Sequence, residues 1–312
     1  MPQQWQLSTV NNHLMKKRHL ALLAAFGASF IYGLNHTLAK DLMPTYIQPF
    51  GFIMLRVLGA AILFWITSLF VPKEKIDRKD WGRMALCALF GMTVNMLCFF
   101  KGLALSTPIN SSVVITIAPV ILLLLSAVFL KEKITWMKGF GIGVGFVGAL
   151  VLILFGAKQQ ANAPNIPLGN IFFLINATAY SIYLILVKPL TAKYSSITLM
   201  KWFFLIAVFM NLPVALPEFL EVEWKSLPMS AIGVMVFVVI GTTYCTYLFN
   251  VFALRELRPS TVGGFIYLQP LIATLIAILL GADSLTTIRV LAASLIFLGV
   301  YLSSKRKKRI LE

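Results

Sequence analysis

The sequence has few charges, few cysteines and few histidines, and each shortage excludes a class of protein. Charged residues make up 12% of the 312 residues and hydrophobic residues 59%, whereas a soluble domain carries roughly 25% charge. A chain this apolar cannot cover itself with polar surface, so a lipid bilayer has to be its solvent. The cysteines Cys87, Cys98 and Cys245 are odd in number, lie in apolar runs and suit no metal site. We interpret them as small core residues.

Groups that carry enzyme chemistry are also scarce. The three histidines do not form a pair four residues apart, which excludes the common helical zinc motif. No serine or cysteine has an evident base in reach, and no carboxylate lies in the centre of an apolar segment. The sequence therefore predicts no catalytic residue, no bound metal and no enzyme activity. The first 19 residues lack the apolar core of a secretory signal peptide.

Ten apolar segments follow one another along the chain, each close to the ~20 residues that a spanning helix needs. They lie at roughly 20–39, 50–71, 83–105, 109–130, 139–157, 168–187, 198–217, 228–254, 260–282 and 287–304. Asn211, Pro213 and Pro217 interrupt the seventh segment, which is the weakest prediction. The predicted organisation is a cytoplasmic tail (1–19), a first half (20–157), a polar linker (158–167), a second half (168–304) and a basic tail (305–312).

Positive charge is distributed unevenly between the two sides of these segments. Of 27 Lys and Arg residues, 21 lie on the side of the N-terminus and 5 on the other side, while only 11 residues are acidic. By the positive-inside rule, both termini are predicted to be cytoplasmic, in a multi-pass protein of the cell membrane. Loops beside anionic lipids account for the net charge of +16, and no nucleic-acid partner is predicted.

The chain contains the same pattern twice. A shift of 151 residues superimposes Pro108 on Pro259, Pro119 on Pro270, Glu132 on Asp283, Thr135 on Thr286 and Gly148 on Gly299. Because each half holds five segments, an odd number, the second half must enter the membrane the opposite way up. We therefore predict an all-α membrane protein of ten transmembrane helices in two inverted five-helix repeats. Such repeats are typical of secondary transporters, whose halves open alternately to the two sides.

Several of these motifs resemble a known family. They are the run Gly102–Ser112, Ala118-Pro119, Leu130–Thr135, the glycine-rich stretch 139–148, and, in the second half, 253–259, Gln269-Pro270, 281–286 and Gly299. Together they resemble the EamA domain of the drug/metabolite transporter superfamily, and Asp283 departs from the glutamate usual there. The resemblance implies transport of amino acids or other small metabolites across the cell membrane, without a cofactor.

Prolines, carboxylates and glycines at equivalent places allow structural or functional interpretations. Pro119 and Pro270 should kink their helices, as fixed bends or as hinges. Glu132 and Asp283 should cap the helices that follow them. The small residues Gly141 and Gly145 should let the fifth helix pack closely on the tenth, or else support dimerisation. A monomer and a homodimer both remain open.

Polar residues inside apolar segments indicate where a substrate could bind. The predicted substrate-binding residues are Tyr32, Asn35, His36, Asn95, Lys101, Thr116, Asn176, Tyr180, Tyr183, Tyr244, Tyr247, Tyr267 and Gln269. A shift of 148 superimposes Tyr32 on Tyr180 and Asn35 on Tyr183, so both halves present one polar stripe. The alternative for any single tyrosine is a core ring with a bonded hydroxyl.

Two cations lie within apolar segments, Arg56 in the second and Lys101 in the third. Each can extend to the outer headgroups or face a wet cavity, with Asp41 as a possible partner. We expect Arg56 to extend outward or to be paired, and Lys101 to face the cavity. A cavity-facing cation predicts a substrate with a carboxylate or similar anion, such as an amino acid. The alternative functions are a membrane receptor or scaffold, or an intramembrane enzyme without transport.

Overall fold

The computed structural model describes residues 2–40, 42–43, 45–106, 114–156, 165–279 and 287–304, and within these ranges it contains helices and no strand. We number ten helical units α1 to α10. Their bounds are α1 Pro2–Lys40, α2 Pro49–Thr67, α3 Arg78–Leu105, α4 Ala118–Phe129, α5 Trp136–Gly156, α6 Ile166–Leu190, α7 Ser196–Leu220, α8 Met229–Glu256, α9 Pro259–Gly264 continued by Leu268–Leu279, and α10 Thr287–Ser304.

Five of these helices, α2, α3, α6, α7 and α8, are long and apolar enough to cross a bilayer. Helix α4 is apolar but shorter, and the predicted span 109–130 lies partly outside the described residues. The count of ten spans and the cytoplasmic position of the termini therefore stay predictions.

Helices α1 and α7 differ from the sequence prediction. Helix α1 begins at Pro2, so residues 2–19 of the predicted cytoplasmic tail continue the first span as helix. No glycine or internal proline interrupts that stretch before Gly27. Helix α7 runs unbroken through Pro213 and Pro217. Both prolines lie in its last two turns, where the missing N–H groups disturb only the end of the helix.

Irregular turns occur at equivalent places in the two halves. Helix α3 contains a π-helical turn, Leu89–Val94, and α8 contains one at Val238–Cys245. In α9, the 3-10 turn Phe265–Tyr267 separates Pro259–Gly264 from Leu268–Leu279. Turns of this kind change the rotational phase of the side chains that follow and leave carbonyl groups outside the regular ladder.

The packing of the helices is symmetric between the halves. Helix α1 packs against α8 and α9, and α6 packs against α3 and α4; α2 packs against α7, and α5 against α10. Exchanging every helix for the one five positions along the chain leaves this set of pairs unchanged. The two halves are therefore related by a pseudo-two-fold exchange.

Helices α2 and α7 run antiparallel, as two reciprocal carboxylate caps show. The Glu218 carboxylate, near the end of α7, accepts the N–H groups of Phe50 (2.6 Å) and Gly51 (3.0 Å) at the start of α2. The Glu74 carboxylate, after the end of α2, accepts the N–H of Ser195 at the start of α7 (2.8 Å). A carboxylate at a helix N-terminus is favoured by the unpaired N–H groups and by the helix dipole.

Helices α5 and α10 pack closely against each other at glycine residues. Gly299 of α10 lies against the backbone of Gly141 and Gly145 in α5, and Gly148 lies against the backbone of α10 at Ile296. Small residues permit this approach, which brings many backbone and side-chain atoms into contact. The expected packing of the fifth helix on the tenth is confirmed within one chain.

Candidate functional site

A cavity lies between the two halves. Its empty space is about 710 Å³, a figure that includes the part open to solvent. The first half contributes α1, α2, α3 and the beginning of α4, and the second contributes α6, α8 and α9. The polar and charged lining residues are Tyr32, Asn35, Arg56, Asn95, Asn176, Tyr180, Tyr247 and Gln269. The apolar lining residues are Met96, Phe99, Phe100, Ile115, Ala118, Ala177 and Ile266.

On one wall, two asparagines hold α3 and α6 together. The Asn176 amide nitrogen donates to the carbonyl oxygen of Asn95 (2.8 Å), and the Asn95 amide nitrogen donates to the carbonyl oxygen of Asn176 (3.3 Å). Asn95 directly follows the π-helical turn of α3. Each side-chain nitrogen thus bonds a main-chain oxygen, and neither side-chain amide oxygen is used in this pair.

Two further bonds of lining residues join α8 to α1 and α6. The Thr242 hydroxyl donates to the Asn35 amide oxygen (3.2 Å), and the Asn250 amide nitrogen donates to the Tyr180 hydroxyl (3.0 Å). Thr242 and Asn250 thereby fix the orientation of two lining side chains. The polar lining is therefore preorganised by contacts between the halves and, at Tyr180, by a contact within the second half.

Arg56 is the charged residue of the described lining. Its side chain is buried, with the residue 5% exposed, and its Nε donates to the Thr243 hydroxyl (2.9 Å). The guanidinium carbon lies 5.2 Å from the centroid of the Phe100 ring, a cation–π distance. The expectation that Arg56 extends outward to the headgroups is therefore wrong, while a pair with Asp41 involves a residue outside the described ones. A helix that faces protein on this side offers no path to the headgroups.

The structure brings seven of the thirteen predicted binding residues together at the cavity. They are Tyr32, Asn35, Asn95, Asn176, Tyr180, Tyr247 and Gln269. The side chain of His36 lies outside the described residues, as does Asp41. Binding by any of these residues stays a prediction.

Lys101 does not line the cavity, contrary to the prediction. It is exposed at the end of α3, and its ammonium group lies 5.6 Å from the centroid of the Phe50 ring at the start of α2. A residue one turn from the helix end can keep its charge in water, so no cavity is needed to solvate it.

Four other predicted residues do not line the cavity. Thr116 is buried outside the lining. Tyr183 is fully buried against Gly91 and Tyr247. The Tyr244 hydroxyl bonds that of Thr67 (2.8 Å), and Tyr267 packs against Gly145. The alternative of a core ring with a bonded hydroxyl describes Tyr244, whereas the buried hydroxyls of Tyr183 and Tyr267 have no hydrogen-bond partner among the described residues.

Each proline predicted to kink a helix comes directly after a lining residue. Pro119 follows Ala118 as the second residue of α4, and Pro270 follows Gln269 in α9 just after the 3-10 turn. The regular helix is interrupted immediately before each of them. Whether these interruptions act as hinges stays a prediction.

Glu132 does not cap the next helix through its N–H groups. The Thr135 hydroxyl accepts that bond, from the N–H of Lys138 (3.3 Å). The Glu132 carboxylate instead pairs with the Lys138 ammonium group and accepts a bond from the Ser260 hydroxyl. It therefore joins the end of α4 to the start of α9 in the other half, while Asp283 lies outside the described residues.

Sequence reasoning missed the apolar lining and the position of Arg56. Phe99, Phe100 and Ile115 are as apolar as residues that face lipid, so composition does not separate the two. The signal for Arg56 was present, because a cation inside a spanning segment is a functional candidate by default. Over the described residues, no group of three or more His, Cys, Asp or Glu side chains could hold a metal.

Comparison with known proteins gives the family. The pattern of the EamA-like transporter family matches residues 19–154 and 167–305. An uncharacterized transporter of Archaeoglobus fulgidus is 29% identical over 92% of this chain and 98% of its own length. A probable terminal-alkyne amino-acid exporter of Streptantibioticus cattleyicolor is 24% identical over 82% of this chain and 84% of its own length. A crystal structure with 20% identity covers 91% of this chain and 97% of its own, with a TM-score of 0.73, and shows the same fold.

These findings define a multi-pass protein of the cell membrane. The chain belongs to the EamA-like transporter family, because the family pattern covers most of its length in two parts. An uncharacterized transporter of Bacillus subtilis, 22% identical over 92% of this chain and 94% of its own length, is a further relative. The expected membership is confirmed.

Proposed function

We propose that this protein moves small metabolites, namely amino acids or related organic anions and zwitterions, across the cytoplasmic membrane by alternating access between two inverted repeats. The cavity between the halves is the single observation that carries the proposal. Both halves contribute polar side chains to it, beside apolar and aromatic ones, which is the usual lining of a small-molecule site.

The symmetric packing supports alternating access. The pseudo-two-fold exchange maps the pair α1–α8 onto α6–α3, so the two walls of the cavity are equivalent interfaces. Helices α2 and α7 hold equivalent places and run antiparallel, which is the relation that an inverted repeat requires. Symmetry of this kind allows two conformations of nearly equal free energy, in which the cavity is open to one side of the membrane or to the other.

The lining supports a small amphipathic substrate. Phe99, Phe100 and Tyr180 provide aromatic surface, while Asn95 and Asn176 present amide oxygens that can accept bonds from an ammonium group. The amino-acid export named for one relative agrees with such a substrate class.

Reconstitution tests the proposal. Purified protein is placed in liposomes loaded with an unlabelled mixture of amino acids and organic acids, and the uptake of labelled members of that mixture is followed. Accumulation by exchange, absent from protein-free liposomes, is the expected result. Binding of these solutes without any flux would favour a receptor, and their chemical conversion without a change of side would favour an intramembrane enzyme.

A matched pair of substitutions ties the flux to the cavity. Ile115→Trp adds a large ring to the cavity wall and should abolish exchange. Phe209→Trp makes a similar change on the outer surface of α7, where the side chain is 66% exposed, and should leave exchange intact. Equal flux in both variants would remove the cavity from the transport path.

A further inference from the structure

The Arg56 side chain has more donors than the described protein uses. A guanidinium group carries five N–H donors. In the described part of the chain, its hydrogen bond is the one from Nε to Thr243, and the two Nη atoms bond to no described residue. No described carboxylate forms an ion pair with it, and the titratable groups near it are the phenols of Tyr247 and Tyr32.

A buried guanidinium group whose Nη atoms have no protein acceptor requires an anion or water as a partner. Removal of a charge from water costs several kcal/mol unless a partner and hydrogen bonds compensate it. Thr243 fixes the Nε edge and Phe100 covers the group at cation–π distance. The guanidinium fork is thus held in place by protein while its Nη side is left for a ligand in the cavity.

The other half has no such group at the equivalent place. Helices α2 and α7 can be aligned by their N-cap residues, Gln48 and Ser195, which are 147 positions apart. This shift superimposes Arg56 on Phe203. Helices α3 and α8 can be aligned by the starts of their π-helical turns, Leu89 and Val238, which are 149 positions apart. This shift superimposes Val94 on Thr243. The residues equivalent to the polar pair Arg56 and Thr243 are therefore the apolar residues Phe203 and Val94. The cation is present on one side of the pseudo-two-fold relation and has no counterpart on the other.

The geometry points to a carboxylate-binding subsite at Arg56, formed by its two Nη atoms and oriented by Thr243 and Phe100. This inference rests on the proposed function and names the group by which the substrate is recognised. A planar fork matches the two oxygens of a carboxylate in a bidentate pair. One cation, with no second charge in the described lining, suits a singly charged carboxylate better than a doubly charged phosphate.

Binding of matched acids and amides tests the subsite. The purified protein in detergent is titrated with the standard amino acids and the straight-chain monocarboxylates from acetate to hexanoate, and with the primary amide of each, while thermal stabilisation is measured. Among the members that bind, acids should bind roughly 10- to 100-fold more tightly than their amides. A panel in which acids stabilise the protein no more than their amides overturns the inference.

Substitutions at the subsite locate that preference. Arg56→Gln should abolish the difference between acids and amides, and Arg56→Lys, which keeps the charge but loses the fork, should retain part of it. Thr243→Val keeps Arg56 and should weaken acid binding by a smaller factor, so a variant is available if Arg56→Gln fails to fold. Lys201→Gln is the control, because that cation lies over Trp65 and Trp202 outside the cavity, and it should bind acids as the wild type does.

The liposome assay separates this inference from the proposed function. Equal flux of acids and amides, unaffected by Arg56→Gln, would leave transport standing and overturn the carboxylate subsite. Preferential binding of acids that depends on Arg56, with no solute crossing the membrane, would leave the subsite standing and overturn transport.

Discussion

The Tyr247 hydroxyl donates a hydrogen bond of 2.8 Å to the carbonyl oxygen of Gly91. Gly91 lies in the π-helical turn of α3, and Tyr247 follows the corresponding turn in α8. A π-helical turn releases carbonyl groups from the regular ladder, and a released carbonyl inside a membrane protein needs a donor. The bond therefore joins equivalent irregular turns of the two halves next to the cavity.

Tyr247→Phe should destabilise the protein, because it leaves the Gly91 carbonyl buried without this donor. We expect the free energy of unfolding to fall by about 1–3 kcal/mol. Unfolding in mixed detergent micelles, followed by circular dichroism, measures the difference.

Tyr183→Phe is the matched control for that prediction. Tyr183 is fully buried next to Tyr247, and its hydroxyl has no hydrogen-bond partner among the described residues. Removal of an unpaired buried hydroxyl should leave stability unchanged or raise it by up to about 1 kcal/mol. If both variants lose the same unfolding free energy, the Tyr247–Gly91 hydrogen bond does not stabilise the protein as predicted.

Gly299→Ala should strongly destabilise the α5–α10 pair. A methyl group at Gly299 would meet the backbone nitrogen of Gly145 and the backbone oxygen of Gly141 at less than van der Waals distance. Backbone atoms cannot move aside as a flexible side chain can, so we expect a loss of about 1–3 kcal/mol in thermal unfolding.

Gly143→Ala, on the partner helix α5, controls for the change of residue type. A methyl group there would meet no atom within 4 Å. Because alanine favours helix over glycine, this variant should be neutral or more stable by up to about 1 kcal/mol. A Gly299→Ala variant as stable as Gly143→Ala would contradict the close packing of α5 on α10.

The polar cluster of Glu132, Lys138 and Ser260 should contribute to the contact between the halves. Lys138 is 7% exposed and its ammonium group donates to the Ser260 hydroxyl (2.6 Å) as well as to Glu132. Ser260→Ala should cost about 1.5–3 kcal/mol, the range for hydrogen bonds to charged groups. Glu132→Gln should cost more, about 3–5 kcal/mol, because it leaves the Lys138 charge buried without its partner.

Ser294→Ala tests whether loss of any serine hydroxyl has this effect. The Ser294 side chain is exposed and donates to the Val290 carbonyl of its own helix. Its removal should change the free energy of unfolding by less than about 0.5 kcal/mol. The predicted order of destabilisation is Glu132→Gln, Ser260→Ala, Ser294→Ala, and a different order would contradict the assigned role of the cluster.

The correspondence between the two halves was predictable because equivalent residues of a duplicated sequence recur at a constant offset. The shared offset of Pro119 and Pro270 revealed the repeat, and helical spacing placed Tyr32 and Asn35 on one face of α1. Both residues line the cavity. In a long regular helix, residues three or four positions apart lie on the same face, so their spacing in the sequence predicts which side chains point the same way.

The positions of Tyr244 and Tyr267 were not predictable, because irregular turns change that phase. The π-helical turn of α8 ends between Tyr244, which bonds Thr67, and Tyr247, which lines the cavity. The 3-10 turn of α9 ends at Tyr267, so this ring faces Gly145 while Gln269 faces the cavity. Such turns depend on packing between helices and have no clear signature in the sequence.

Stability should fall in acid partly through Glu74, which lies between α2 and α3. Burial alone would raise the pKa of this carboxyl group, but hydrogen bonds from the Ser195 N–H and from the Thr198 and Ser195 side chains outweigh it and lower the pKa. A carboxyl whose pKa is lower in the folded than in the unfolded state stabilises the fold above the unfolded value. That contribution is lost as the pH falls through the folded value.

Glu74→Gln should therefore flatten the acid limb of the stability curve. The wild type should lose unfolding free energy between about pH 5 and pH 3 relative to this variant, and the two curves should converge at the acid end, since glutamine cannot titrate. At neutral pH the variant should be less stable by no more than about 1 kcal/mol, because Glu74 is largely solvated. Unfolding midpoints measured across this pH range decide the matter: two curves that stay parallel would show that the carboxylate cap on α7 does not titrate as the structure indicates.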